Sequence, residues 1–171
     1  RHPHSYVTAV VTAACEMARQ SDGAFDPTVQ PLWEVHAQAK QLRRAPTERE
    51  LAAARSTVDW RRIEVSTRQI RLLGGDTTVT LNGIAQGFAT DRALDALARH
   101  GAAGLVNAGE IGGRRERGDD APWKVGIQHP RVAEAFAAIV PLDGRRLATS
   151  GDYFTTFESD YRRNHIFDPR T

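Results

Sequence analysis

Residues 78–101 read TVTLNGIAQGFATDRALDALARHG and predict a strand that leads into a helix. Residues 78–81 are rich in Thr and Val, as strands are. Further along, Leu94 and Leu97 recur at helical spacing, and Gly101 is expected to end the helix in a left-handed conformation. The stretch therefore indicates a fold that contains both strands and helices.

Further helices and strands are predicted on both sides of this stretch. Thr47 followed by Glu50 has the spacing of a capping box, which favours a helix over residues 47–58. Because the predicted elements interleave irregularly, we expect an α+β fold with packed helices and a mixed, mostly antiparallel sheet. The other helices are expected over residues 5–20 and 32–39, the other strands over residues 63–67, 69–73, 104–107, 123–128, 137–142 and 146–149, and a polar loop over residues 109–120.

The composition is that of an ordinary globular protein. Of the 171 residues, 40% are hydrophobic and 26% are charged, which excludes a disordered chain. The 23 Lys and Arg residues nearly balance the 21 Asp and Glu residues and are scattered, so no nucleic-acid partner is expected. No apolar run approaches the ~20 residues of a membrane helix, so we expect no membrane span in this chain. Cys15 is the single cysteine, which excludes an intrachain disulfide.

Two short segments could present backbone amides to an anion. At residues 81–87, glycines stand where the predicted strand meets the helix, and a helix N-terminus favours phosphate. The same glycines could instead serve close packing. At residues 148–153, small hydroxyl residues and a glycine follow a predicted strand, so an anion-binding nest and a plain polar turn are both open.

His165 and Asp168 form a third candidate group. With Ser150 they could complete a hydrolase triad, but Ser150 lacks the Gly-x-Ser-x-Gly context of such enzymes, which argues against this chemistry. A structural histidine beside Ile166 and Phe167 is the alternative. The remaining histidines have no spacing typical of a structural zinc site.

Four blocks, taken in order along the chain, resemble the ApbE family of flavin transferases. They are SDGAFDPTVQPL at residues 21–32, LNGIAQGFATD at 81–91, ATSGDY at 148–153 and HIFDPRT at 165–171. Each block alone is a weak signal, whereas all of them in this order are specific.

The resemblance implies an ApbE-like fold and a magnesium-dependent FAD:protein FMN transferase. Such an enzyme cleaves FAD, joins FMN to a Thr or Ser hydroxyl of a partner flavoprotein and releases AMP. His165 matches the family histidine tied to transfer, as base or as orienter of the acceptor hydroxyl, and the backbone oxygen of Gly83 is expected to help hold Mg²⁺. The residues expected to contact FAD are Ala24, Phe25, Asp26, Thr80, Gln86, Thr149, Ser150, Gly151 and Ile166.

The chain also departs from the family pattern. Thr80 and Gln86 are neutral where family members usually carry Asp and Lys or Glu, and Glu110 and Ile111 stand where a Gly and an Asp are usual. These departures leave two alternatives open. One is a catalytically impaired FAD-binding protein, and the other is an FAD pyrophosphatase that yields FMN and AMP.

The resemblance also sets expectations for organisation and surroundings. The chain begins at Arg1 without Met and stops at Thr171, ahead of the family's acidic and Thr metal ligands, so we expect one incomplete domain over residues 1–171. The predicted partners are FAD and a flavin-accepting redox protein, with a homodimer left open. By resemblance, the expected location is the periplasm, either free or as a membrane-anchored lipoprotein, although this chain shows no targeting segment.

Overall fold

The computed structural model describes residues 2–114, 121–142 and 144–171, and its backbone forms two compact units. The first unit is the chain up to Gly83 together with Asp152–Thr171, and the second is Ile84–Gly151. The strand pairs in the described ranges are all antiparallel. Together with the helices, this pairing confirms the predicted α+β class.

The first unit is mainly helical, and a short hairpin follows its helices. Its elements are α1 (Ser5–Gln20), α2 (Gln30–Gln41), α3 (Glu48–Arg55), β1 (Ile63–Val65) and β2 (Ile70–Leu72). The buried side of α1 consists of apolar residues at helical spacing: Val10, Val11, Ala14 and Ala18.

Local chemistry explains where α2 and α3 begin. Helix α2 starts ahead of the predicted residue 32, and Pro31 occupies its first turn, where a missing N–H breaks no helical hydrogen bond. Helix α3 starts at the predicted capping box, in which the Glu50 N–H donates to Thr47 Oγ1 at 3.3 Å and the Thr47 N–H donates to Glu50 Oε2 at 2.8 Å. It ends at Arg55, before the predicted end at residue 58.

The second unit packs one helix against a small sheet. Helix α4 contacts β3 and β4, which form a three-stranded sheet with β7 in the order β3-β4-β7, while β5 and β6 form a separate pair. The elements are α4 (Ala85–Arg99), β3 (Gly104–Asn107), β4 (Ile111–Arg114), β5 (Trp123–Gln128), β6 (Phe136–Leu142) and β7 (Arg146–Leu147).

Strand β4 approaches α4 so closely that a side chain would not fit between them. A Cβ at Gly112 would collide with Leu94 and stand 3.0 Å from Thr90 Cγ2, and both of these helical residues are buried. The Thr90 hydroxyl also donates to the Glu110 carbonyl at 2.9 Å. These contacts fix the turn between β3 and β4 against the helix.

Two predictions about strands are wrong. Residues 78–81 form no strand, because the Thr80 N–H donates to the Pro27 carbonyl of another loop at 2.8 Å instead of joining a sheet. A loop and turn therefore lead into α4, which begins at Ala85 rather than at residue 82. Strand β4 lies within the segment predicted as a polar loop, of which residues 115–120 are outside the described residues.

Across the described ranges, no helix is both long and apolar enough to cross a membrane.

Candidate functional site

The block at residues 21–32 begins as a sharp turn at the end of α1. Asp22 and Gly23 have positive φ angles of 51° and 79°, and the Gly23 amide donates back into the last turn of α1 at 2.8 Å. Ser21 Oγ then accepts the Phe25 N–H at 3.1 Å. These hydrogen bonds place the predicted FAD contacts Ala24 and Phe25 in one defined loop.

Asp26 holds this loop from the inside. Its side chain is buried, with 8% of its surface exposed. One carboxylate oxygen accepts the Thr28 N–H at 2.7 Å and the Thr28 hydroxyl at 2.6 Å, and the other accepts the Trp60 N–H at 3.1 Å. The observed role of Asp26 is therefore structural, and its contact with FAD stays a prediction.

The loop that precedes α4 packs against the same part of the first unit. The Thr80 N–H donates to the Pro27 carbonyl, and a Cβ at Gly83 would stand 3.0 Å from the ring of Phe25. Gly83 is exposed while Phe25 is half-buried, so the ring supports the exposed backbone of Gly83. Five residues of the predicted site thus come together within one unit: Ala24, Phe25, Asp26, Thr80 and Gly83.

His165 is oriented through its backbone and its ring. The His165 N–H donates to the Thr155 carbonyl at 3.0 Å, and the ring Nδ1 lies 3.2 Å from the same oxygen. Because a carbonyl can only accept, Nδ1 carries the proton in this hydrogen bond and Nε2 is left with a lone pair. Asn164 Oδ1 accepts the Ile166 N–H at 2.9 Å, which turns the chain so that Ile166 is 52% exposed beside the histidine.

A charged pair that sequence reasoning missed connects the last block to the first. Arg170 donates to Asp168 Oδ2 at 2.6 Å and to the Ser21 carbonyl at 3.2 Å. The hydrogen bond from Arg170 lowers the pKa of the Asp168 carboxyl below its usual value. The i, i+2 spacing of Asp168 and Arg170 was the available sequence signal, but nothing in it indicates Ser21 as the partner.

In the second unit, Gln86 and the Thr149 loop both reach the turn between β3 and β4. Gly109 has a φ of +96°, and a Cβ there would stand 2.5 Å from Gln86 Cδ. Glu110 Oε2 accepts the Thr149 N–H at 3.1 Å. The sequence marks Glu110 only as a departure from the family pattern. Its carboxylate nevertheless accepts a hydrogen bond from a backbone amide of the possible anion-binding segment at residues 148–153. In that loop Thr149 and Ser150 are exposed and Gly151 is half-buried.

One pocket of about 310 Å³ lies in the first unit, beside the first block. Its lining includes Asp22, Gly23, Trp60 and Arg170. Of the predicted site residues only Asp26 contributes to it, so the pocket does not coincide with the predicted FAD contacts.

The described residues do not by themselves fit a magnesium centre. Within the described ranges, no group of three or more His, Cys, Asp or Glu side chains could hold a metal ion. Gly83 offers one carbonyl oxygen, whereas Mg²⁺ requires six oxygen ligands, some of which come from waters and from substrate phosphates. The role of Gly83 at a metal stays a prediction.

Comparisons with known proteins agree with the motif order. The FAD:protein FMN transferase of Salmonella typhimurium is 33% identical over 175 residues, which cover 95% of this chain and 49% of that protein. The protein of the same name from Klebsiella pneumoniae is 30% identical over 172 residues and is covered to 49%. The chain thus spans about half the length of these curated relatives.

Solved structures share the fold. The crystal structure of the ApbE protein from Thermotoga maritima matches 99% of this chain with a TM-score of 0.85 and 29% identity, and 57% of that protein is covered. The apo flavinyl transferase ApbE of Pseudomonas stutzeri matches 99% of this chain with a TM-score of 0.79 and 33% identity, and is covered to 54%. The prediction of one incomplete domain stays a prediction. The ApbE family model matches residues 2–171, and the chain therefore belongs to the ApbE family.

Proposed function

We propose that this protein is an FAD:protein FMN transferase, which moves FMN from FAD to a Thr or Ser hydroxyl of a flavoprotein and releases AMP. The observation that carries the proposal is the family match over residues 2–171, because relatives that share it bear this name. The placement of the predicted FAD contacts adds support, since loops from distant parts of the sequence converge within each unit.

The proposed reaction is a phosphoryl-type transfer. The acceptor hydroxyl oxygen bonds to the phosphorus nearer the riboflavin, and the bond from that phosphorus to the bridging oxygen breaks. AMP leaves with the bridging oxygen, and the hydroxyl proton passes to a base. His165 suits this role because its Nδ1–H is engaged by the Thr155 carbonyl, which leaves Nε2 able to accept a proton.

Mg²⁺ is proposed as the cofactor on the family resemblance alone. When bound, a divalent cation would neutralise charge on the pyrophosphate. The Gly83 carbonyl is the only ligand that we assign to it, so no step above depends on the ion. A periplasmic or membrane-anchored location is likewise proposed from the resemblance alone.

The proposal is tested by a transfer assay with FAD, Mg²⁺ and an acceptor flavoprotein, in wild type and in His165→Ala. Removal of a general base is expected to lower the rate of AMP release by about 100-fold or more. His100→Ala is the matched control, because His100 is exposed at the end of α4, and it should leave the rate unchanged. Full transfer by His165→Ala would remove the role of His165. FAD binding without AMP release would favour the impaired protein, and free FMN formed without acceptor would favour the pyrophosphatase.

A further inference from the structure

His36 is a buried histidine that packs against two aromatic rings, which also stack on each other with their centroids 6.0 Å apart. It lies on α2 with 9% of its surface exposed. Its ring centroid is 5.2 Å from that of Phe157 and 5.2 Å from that of Phe167, with interplanar angles of 29° and 33°. Its Nδ1 is buried and has no hydrogen-bond partner among the described residues. The imidazole thus packs as a flat, largely apolar ring.

The two phenylalanines lie within and just after the segment that carries His165. Residues 155–165 fold back on themselves, because the Phe157 N–H donates to the Arg163 carbonyl at 2.7 Å and the His165 N–H donates to the Thr155 carbonyl at 3.0 Å. Phe157 belongs to one arm of this segment, and Phe167 follows His165 closely in sequence. The His36 ring on α2 therefore contacts Phe157 within this segment and Phe167 just after it.

The same segment has one further polar attachment to α2. Lys40 Nζ, one turn along the helix from His36, donates to the Thr156 carbonyl at 2.7 Å. A lysine on a flexible stem defines the position of a segment less sharply than a stacked ring. Most of the positional restraint from α2 is therefore expected from the aromatic contacts.

The surroundings of His36 favour its neutral form. Burial lowers the pKa of the imidazole below its ordinary value, the charge of Arg163 lowers it further, and Glu158 opposes this effect. Arg163 and Glu158 are themselves paired at 2.6 Å, and Lys40 adds a positive charge on the same helix. A protonated ring could gain a cation–π attraction from the phenylalanines, but it would also place a Nδ1–H donor in a site without an acceptor.

We propose that His36 is a positioning residue for the transfer reaction, and that its ring, packed against both Phe157 and Phe167, holds the segment 155–167 so that His165 is correctly placed. The inference rests on the proposed function for its catalytic consequence, but not for the restraint of the segment itself. Because the pKa of His36 is lowered in the folded protein, the restraint is present at neutral pH and is lost only as the pH falls below the ordinary pKa of histidine.

The test compares His36→Ala, which removes the ring, with His36→Phe, which keeps a ring that cannot be protonated. Hydrogen exchange of peptides from residues 155–167 and the kinetics of FMN transfer are measured for each protein. In His36→Ala, exchange of this segment should be about tenfold faster or more, and kcat should fall about tenfold or more with little change in KM for FAD. His36→Phe should restore both quantities.

The pH dependence separates positioning from simple packing. As the pH falls below about 6.5, the ordinary pKa of histidine, the wild type should lose protection of residues 155–167 and should lose kcat more steeply than His36→Phe. His165 is present in both proteins, so the difference between them reports His36. If His36→Ala does not fold, this comparison alone carries the test.

Several results would overturn the inference. It is contradicted if hydrogen exchange is unchanged in His36→Ala, or if the defect in His36→Phe equals that in His36→Ala. It is also contradicted if wild type and His36→Phe have identical pH profiles. If the exchange results are as expected but no variant transfers FMN with any acceptor, the proposed function fails while the restraint by His36 stands.

Discussion

The loop at residues 21–29 contains predicted FAD contacts, whereas the turn at residues 107–110 touches two others, Gln86 and Thr149, and the two regions are built in opposite ways. The first loop has polar groups inside it, with Asp26 and Thr28 buried and mutually hydrogen-bonded. The turn in the second unit is mostly exposed, and its contact with the Thr149 loop is the hydrogen bond from the Thr149 N–H to the Glu110 carboxylate. A buried network of satisfied hydrogen bonds resists change, whereas an exposed contact exchanges readily with water.

This difference distinguishes a rigid loop at residues 21–29 from an exposed turn at residues 107–110 whose contacts can change. We infer that the loop at residues 21–29 is formed before any ligand binds, and that the Thr149 loop can exchange its Glu110 contact for another anion. Substitutions in the first loop should therefore lower stability more than those in the turn, and removal of the Glu110 charge should act mainly on ligand binding.

The largest effect is expected from Asp26→Asn. The amide keeps one acceptor oxygen but turns an NH₂ group toward either the Thr28 or the Trp60 donors, so the free energy of unfolding should fall by about 2–4 kcal/mol. Asp76→Asn is the matched control because its side chain is 61% exposed, and it should change stability by less than about 0.5 kcal/mol. Urea denaturation measures both. Equal stability of the two variants would contradict the scaffold role of Asp26.

A smaller effect is expected from Gly109→Ala. The φ of +96° at this position is strained for any L side chain, and the added Cβ would displace the Gln86 amide, so a loss of about 1–3 kcal/mol is expected. Gly87→Ala is the control, because a Cβ there meets nothing within 4 Å and helix propensity should favour Ala by up to about 1 kcal/mol. Thermal denaturation of the pair gives the comparison. A larger loss of stability in Gly109→Ala than in Asp26→Asn would contradict the proposed difference between the loop and the turn.

The smallest effect is expected from Glu110→Gln, and it should appear in binding. Removal of a negative charge from the Thr149 amide should tighten FAD binding about two- to fivefold, with little change in stability. Isothermal titration with FAD measures the affinity, and Glu64→Gln, an exposed residue on β1, serves as control. Weaker binding by Glu110→Gln would show that the carboxylate assists the ligand rather than competing with it.

The local elements could largely be predicted from sequence. The apolar spacing of α1, the capping box at Thr47 and Glu50, and the hairpin of β1 and β2 all depend on neighbours in sequence, and the structure has them. Strand β4 could not be predicted, because Gly112 is required by the close approach of Leu94 from α4, and two adjacent glycines resemble a loop when read alone.

The candidate site shows the same limit. The motif order identified the residues, and the comparisons confirm the family. However, the hydrogen bond from the Trp60 N–H to the Asp26 carboxylate and the one from the Thr149 N–H to Glu110 are non-local. No spacing rule predicts them, because they depend on how distant segments fold onto each other.

The most direct test of the proposed function is the intact mass of an acceptor flavoprotein after incubation with this protein, FAD and Mg²⁺, measured together with released AMP. The account predicts that the acceptor gains the mass of one FMN less one water, that AMP forms in equal amount, and that an acceptor with its Thr or Ser replaced by Ala gains nothing. AMP and free FMN formed with no change in the mass of the acceptor would contradict it.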